Sequence, residues 1–264
     1  MKQFAIILLI GFVTGCGTGK VKDKPQKEKW DLIWQDEFEE EGKPDAAKWS
    51  HSPRNSADWA RFCTDSDSTR FVKNGKLHLR GILNTNKNDT VKYNTGCIRT
   101  ADKFAFKYGK IEVKAKLDKG KGSWPAIWMM PQDPQYGGWP HSGEIDIMEQ
   151  LNRDTIVYQT LHTNYIDIQE KKDNPPYFTT VPFQVDAYNI YGVEWYPNRL
   201  DFFVNGKKTF SYPKIKDADS KQWPFDQEFF IILDQALGGS WVGSIKDEDL
   251  PVEMLVDWVR VYKR

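Results

Sequence analysis

The sequence predicts an all-β domain built from two packed antiparallel sheets. Three observations carry that prediction. Apolar and polar residues alternate with period two in segment after segment, turn-forming residues punctuate the segments, and no helical periodicity runs beyond a turn or two. Residues 76–83 read as a clear early strand. Residues 110–117 are the plainest: Ile111, Val113, Ala115 and Leu117 share one parity and Lys110, Glu112, Lys114 and Lys116 the other, as in a strand buried on one face. Residues 155–163 and 188–195 follow. Residues 200–204 and 207–212 flank Asn205-Gly206, a dipeptide suited to the two positive-φ positions of a type I′ hairpin turn. Residues 228–236 and 254–262 close the series.

The chain has 264 residues, and no linker-like stretch interrupts residues 30–264, which therefore read as one domain. Acidic and basic side chains balance at 37 each, and no basic stripe or nucleic-acid motif appears, so no nucleic-acid partner is expected. There is no Cys-x-x-Cys, no His/Cys cluster, no Gly-x-Ser-x-Gly and no phosphate-binding glycine loop. Cys63 and Cys97 can pair or remain buried thiols, and spacing leaves both open. Aromatics make up 14% of the chain, with 11 tryptophans, more than a core of this size needs. Some anchor the core, and the surplus points to flat platforms for stacking on sugar rings.

Residues 1–29 stand apart from the domain. Lys2 opens a charged leader, and the apolar run over residues 4–12 is too short to cross a bilayer, so residues 1–15 read as a signal peptide. It ends Val13-Thr14-Gly15-Cys16, which resembles a bacterial lipobox, and that resemblance implies lipidation at Cys16. Residues 16–29 then form a lysine-rich tether. The expectation is an exported lipoprotein held at the cell envelope, on the outer membrane's periplasmic or cell-surface side, by lipid rather than by a spanning helix. A monomer is the expected state.

The chemistry concentrates in Gly143-Glu144-Ile145-Asp146-Ile147-Met148-Glu149-Gln150. Apolar residues between the acids mark a strand, on which Glu144 and Asp146 share a face. Glu149 has the opposite parity and joins that face only if a β-bulge adds one residue, a device frequent beside active sites. The bulge sends Ile145 and one or both of Ile147 and Met148 to the core. Three clustered carboxyls push each other's pKa values apart, and two at close range are the apparatus for cleaving a glycosidic bond with retention.

The octet resembles the bulge-bearing signature of glycoside hydrolase family 16, Glu-x-Asp-x-x-Glu. Further stretches are similar in the same order. They are Trp34-Gln35-Asp36-Glu37-Phe38, Gly122-Ser123-Trp124-Pro125-Ala126-Ile127-Trp128, Leu161-His162-Thr163, Trp223-Pro224-Phe225-Asp226-Gln227, Leu237-Gly238-Gly239-Ser240-Trp241 and Val256-Asp257-Trp258. The resemblance implies a β-jelly-roll sandwich with an open substrate cleft on its concave face, suited to internal attack on a polymer. It implies Glu144 as nucleophile, Asp146 as its electrostatic partner, Glu149 as general acid/base and His162 as an orienting group beside the acid/base. Trp124, Trp128, Trp139, Trp241 and Trp59 are candidate sugar platforms, and Gln159 and Gln235 candidate hydroxyl binders. No cofactor is implied for catalysis. A structural calcium is implied at Glu37, the Gly75 backbone and Asp257, whose oxygens suit a hard cation.

For substrate, the resemblance puts β-1,3-glucan or mixed-linkage β-1,3-1,4-glucan first. Laminarinases of the family carry an Asn-Asn-Glu-Leu-Gln stretch on the glycone side of the cleft, where this chain has Ser56-Ala57-Asp58-Trp59-Ala60-Arg61-Phe62-Cys63-Thr64. Changed polar groups at a sugar subsite alter which sugar is accepted. The alternative is therefore an endo-β-1,4-galactosidase acting on mucin-type O-glycans or poly-lactosamine, and a more remote one a non-catalytic sugar-binding protein. Sulfated polymers call for cations in the cleft, for which Arg54 and Arg61 are the nearby candidates in this stretch.

Overall fold

The computed structural model describes residues 29–264; the leader, Cys16 and the tether up to residue 28 lie outside the described residues. In chain order the strands are β1 (Asp31–Asp36), β2 (Ser50–His51), β3 (Arg70–Lys73), β4 (Lys76–Leu83), β5 (Tyr93–Thr95) and β6 (Cys97–Arg99). Next come β7 (Ala105–Phe106), β8 (Gly109–Leu117), β9 (Ser123–Pro131), β10 (Glu144–Glu149), β11 (Ile156–His162) and β12 (Phe178–Pro182). The last are β13 (Asn189–Tyr196), β14 (Arg199–Val204), β15 (Lys207–Pro213), β16 (Phe229–Leu237) and β17 (Val252–Lys263). Helical turns are confined to Asp58–Ala60, Asn164–Ile168 and Asp247–Asp249 among the described residues.

Two antiparallel sheets make a jelly-roll sandwich. One runs β15-β14-β13-β8-β17-β4-β3, with β1 added on β17 and β5 on β4. The other runs β12-β11-β10-β9-β16-β6-β2, with β7 added on β16. The alternation in β8 does what the pattern dictates: Ile111, Val113, Ala115 and Leu117 are buried between the sheets, and the charged residues between them stay half-exposed. Asn205 and Gly206 both take positive φ, so the β14–β15 connection is the I′ type its sequence demands. Trp195 anchors the core. It stands edge-on to Phe106 and Phe229, and its indole N–H donates to the Phe225 carbonyl at 3.0 Å. Removing such a ring costs about 3–5 kcal/mol.

The residues proposed for calcium do not suit a metal ion here. Both Glu37 oxygens accept from Arg260, at 2.7 and 2.9 Å. Asp257 is paired with Lys76 and Lys114, each at 2.7 Å. The Lys76 ammonium also donates to the Gly75 carbonyl at 3.0 Å. Side-chain cations already neutralise the oxygens that calcium would need, and the sequence reading, blind to strand neighbours, missed them.

Candidate active site

The central strand β10 pairs on one side with β11 and on the other with β9, and its register shifts in both ladders. Against β11, Asp146 faces Thr160 while Glu149 faces Tyr158; against β9, Asp146 faces Trp128 and Glu149 faces Ala126. β10 thus holds one residue more than either partner over this span. The extra residue reverses parity, so Glu144, Asp146 and Glu149 all line one cleft, while Ile145, Ile147 and Met148 are all fully buried in the core. The turn into β10 needs Gly143. Its φ is +83°, and a Cβ there would meet the Pro224 ring at 2.8 Å.

The three carboxyls sit in different surroundings. Burial pushes Glu149 up to about 7, and the Glu144 charge adds to the push, while the Trp124 indole N–H donates to Glu149 Oε1 at 3.0 Å and works the other way. Burial and then the charges of Glu144 and Glu149 drive Asp146 well above the usual carboxyl range. A protonated Asp146 donates to Glu144, which raises Asp146 further and restrains Glu144. Burial also lifts Glu144, against the nearby His162 charge and hydrogen bonds from Asp146 and Trp139. The group is tightly coupled, so its protons belong to the set.

His162, opposite Glu144 in the ladder, reaches toward this group with Nε2 3.6 Å from Asp146 Oδ2 and 4.0 Å from Glu144 Oε1. Its Nδ1 lies 3.0 Å from Asp167 Oδ1, and the other Asp167 oxygen accepts from the Thr163 N–H at 3.0 Å. Burial acts to lower the His162 pKa, but Asp167 and Glu144 outweigh it and hold the ring above its usual value.

The cleft has a volume of about 980 Å³ and crosses the strands on both sides of β10. Five tryptophans line it: Trp59, Trp124, Trp128, Trp139 and Trp241. Trp128 is fixed by a 2.7 Å hydrogen bond to Asp234 and meets Trp59 edge-on. Trp241 stands edge-on to Trp124 and Tyr158, and Trp139 tilts over His162. Trp59 and the loop around it are braced twice. Cys63 and Cys97 form a disulfide that closes a 34-residue separation and packs beneath Trp59. Asp58 accepts from the Ser240 N–H at 2.6 Å and pairs with Arg61, tying this loop to the one carrying Trp241. Replacing both cysteines with alanine should cost about 3–4 kcal/mol of stability by freeing the unfolded chain, measurable as a fall in the denaturant midpoint with a steeper slope, since the uncrosslinked unfolded chain exposes more surface.

A family model, glycosyl hydrolases family 16, matches residues 61–260. The chain belongs to glycosyl hydrolase family 16. It is 39% identical over 235 residues to a keratan-sulfate endo-1,4-beta-galactosidase of Sphingobacterium multivorum, covering 89% of this chain but 55% of that protein. This family 16 chain therefore spans about half the length of that relative. Its fold superposes on a laminarinase from Rhodothermus marinus with a TM-score of 0.79 at 30% identity, covering 90% of this chain and 99% of that one. It also superposes on an endo-acting O-glycanase of the human gut microbiota, described as initiating mucin breakdown, with a TM-score of 0.75 at 33% identity over 88% and 99% of the two chains.

Within this family 16 site, the structure brings together the three acids, His162 and all five tryptophans singled out from the sequence. It does not bring in Gln159 or Gln235. Each has core-facing parity: Gln159 donates to the Ile147 carbonyl and Gln235 to Ser123. Their neighbours Tyr158 and Asp234 face the cleft instead. Asp234 is the clearest omission. It is fully buried, its Oδ2 has no hydrogen-bond partner, and burial above all pushes its pKa well up. Parity along β16 would have found it, since Phe230, Ile232 and Asp234 share the cleft face.

Proposed function

We propose that this chain is an endo-acting β-glycoside hydrolase that works by double displacement with retention. The observation that carries the reading is the bulged strand itself, which aims Glu144 and Glu149 into one cleft in different environments. Burial keeps Glu149 protonated to about 7, so it starts as the acid. Asp146, raised further, carries the proton the pair shares and leaves Glu144 free to act as carboxylate.

In the first step Glu144 bonds to the anomeric carbon as the glycosidic C–O bond breaks and Glu149 gives its proton to the leaving oxygen. In the second, Glu149, now a carboxylate, takes a proton from water as the water oxygen attacks the same carbon and releases Glu144. His162, fixed by Asp167, orients and electrostatically supports Glu144 and Asp146. The tryptophans supply ring faces for the sugars. The cleft continues past the acids toward Phe178 on one side and Trp59 on the other, which suits attack within a chain.

For the sugar, we place a β-1,4-galactoside of lactosamine type first and β-1,3- or mixed-linkage glucan second. The 39% identity to the galactosidase exceeds the 30% to the laminarinase. The segment that departs from the laminarinase stretch is also the one clamped by the disulfide and by Asp58 at the cleft wall. The test is a panel of laminarin, mixed-linkage glucan and poly-lactosamine, with products read by chromatography. Lactosamine fragments with laminarin left intact are expected. Glucan oligosaccharides alone would give the second sugar. No cleavage of any polymer by folded protein would leave only sugar binding.

The enzyme is further proposed to be an exported lipoprotein attached through Cys16. Cys16→Ala should move it from the membrane fraction to the soluble one or block its processing; wild-type protein that is fully soluble and carries no lipid by mass spectrometry would end that proposal.

A further inference from the structure

Arg54 and Arg61, the cations nearest the altered glycone stretch, are both engaged. Arg54 forms a two-pronged pair with Asp89, and Arg61 is paired with Asp58. A different arginine lines the cleft. Arg99 ends β6, makes no ion pair among the described residues, and its Nε is buried without a hydrogen-bond partner. A guanidinium is ordinarily satisfied by carboxylate or phosphate-like oxygens, and leaving its N–H groups dry and unpaired is costly.

The place of Arg99 follows from register. Asp146 faces Trp128, Trp128 faces Ile232, and Ile232 faces Arg99 across successive strands. These residues lie in one row on the cleft side of the sheet. Three strand spacings put Arg99 roughly 14 Å from Asp146 along the cleft, a few sugar units from the bond to be cut. Nearby, His51 on β2 is held below its usual pKa first by burial and then by the charges of Arg70 and Arg99, which favours its neutral form beside Arg99. Arg70 is itself paired with Asp65.

The geometry points to Arg99 as an oxyanion-binding subsite of the cleft, taking a sulfate ester or a sugar carboxylate on a residue remote from the scissile bond. This rests on the reading of the cleft as a glycan site and adds a charge requirement to it. The planar fork of donors suits two oxygens of one anionic group, which a neutral sugar cannot offer.

The test uses the full chain carrying Glu144→Gln, so that binding is read without turnover. Its ligands are matched oligosaccharides, neutral, singly sulfated or carrying one carboxylate, on both lactosamine and β-glucan backbones. The anionic member should bind roughly tenfold or more tighter than the neutral one, and whichever of sulfate or carboxylate shows the larger ratio identifies the source. Arg99→Gln should bring that ratio close to one, Arg99→Lys should keep part of it, and Arg54→Gln, whose partner is Asp89, should keep all of it. A preference seen only on glucan would end the lactosamine reading and leave the subsite standing. Equal binding of neutral and anionic members on both backbones would overturn the subsite, as would a ratio that survives in Arg99→Gln.

Discussion

Glu144→Gln should lower kcat/KM on the order of a hundredfold to ten-thousandfold while leaving the fold in place. Glutamine keeps the size of the side chain and can still accept from Trp139 or Asp146. What it lacks is the charged oxygen that bonds to the anomeric carbon. Glu149→Gln should fall as far with ordinary leaving groups, because the amide cannot give up a proton, but less with an activated leaving group that departs unassisted. That contrast separates nucleophile from acid. A folded Glu144→Gln enzyme with near-native turnover would remove Glu144 from the mechanism, whatever its place in the cleft. Wild-type activity should also fall as pH rises through about 7, where Glu149 loses the proton it must donate.

The acids were legible in the sequence because the information was local. Apolar residues between carboxylates gave a strand, parity placed two acids together, and the third required one extra residue. The register of β10 against both neighbours contains that residue. The hairpin at Asn205-Gly206 and the faces of β8 were legible for the same reason: each is decided within a few residues.

What escaped depends on which strands become neighbours. Arg99 enters the cleft because β6 lies beside β16, far along the chain, and no local pattern announces that pairing. Lys76 meets Asp257 through the β4–β17 ladder, which removed the oxygens assigned to calcium. Asp167 holds His162 from the Asn164–Ile168 turn, a segment with no period to read. Gln159 and Gln235 were a different kind of miss: their amides suit sugar hydroxyls, but parity sends them to the core.

The site should cost the protein stability, and Glu149→Gln should recover part of it at alkaline pH. A carboxyl raised in the folded state favours folding only while it is protonated. Below the ordinary carboxyl value of 4.5 Glu149 is protonated whether the chain is folded or not, and no penalty exists. As pH rises toward about 7 the unfolded chain releases this proton while the folded chain keeps it, and stability falls through that window. Above it, a buried charge must be held in place. The difference between 4.5 and about 7 corresponds to roughly 3 kcal/mol for this one group. Glu149→Gln carries no such charge and keeps an oxygen to accept from Trp124. It should therefore unfold at higher denaturant concentration than wild type at pH 8, with a Tm higher by roughly 5–10 °C, and nearly match wild type at pH 4. A gain of the same size at both pH values would mean that packing, not charge, is responsible. A loss at pH 8 would mean that Glu149 is ionised at little cost in the folded protein, and that it does not start the reaction as the acid.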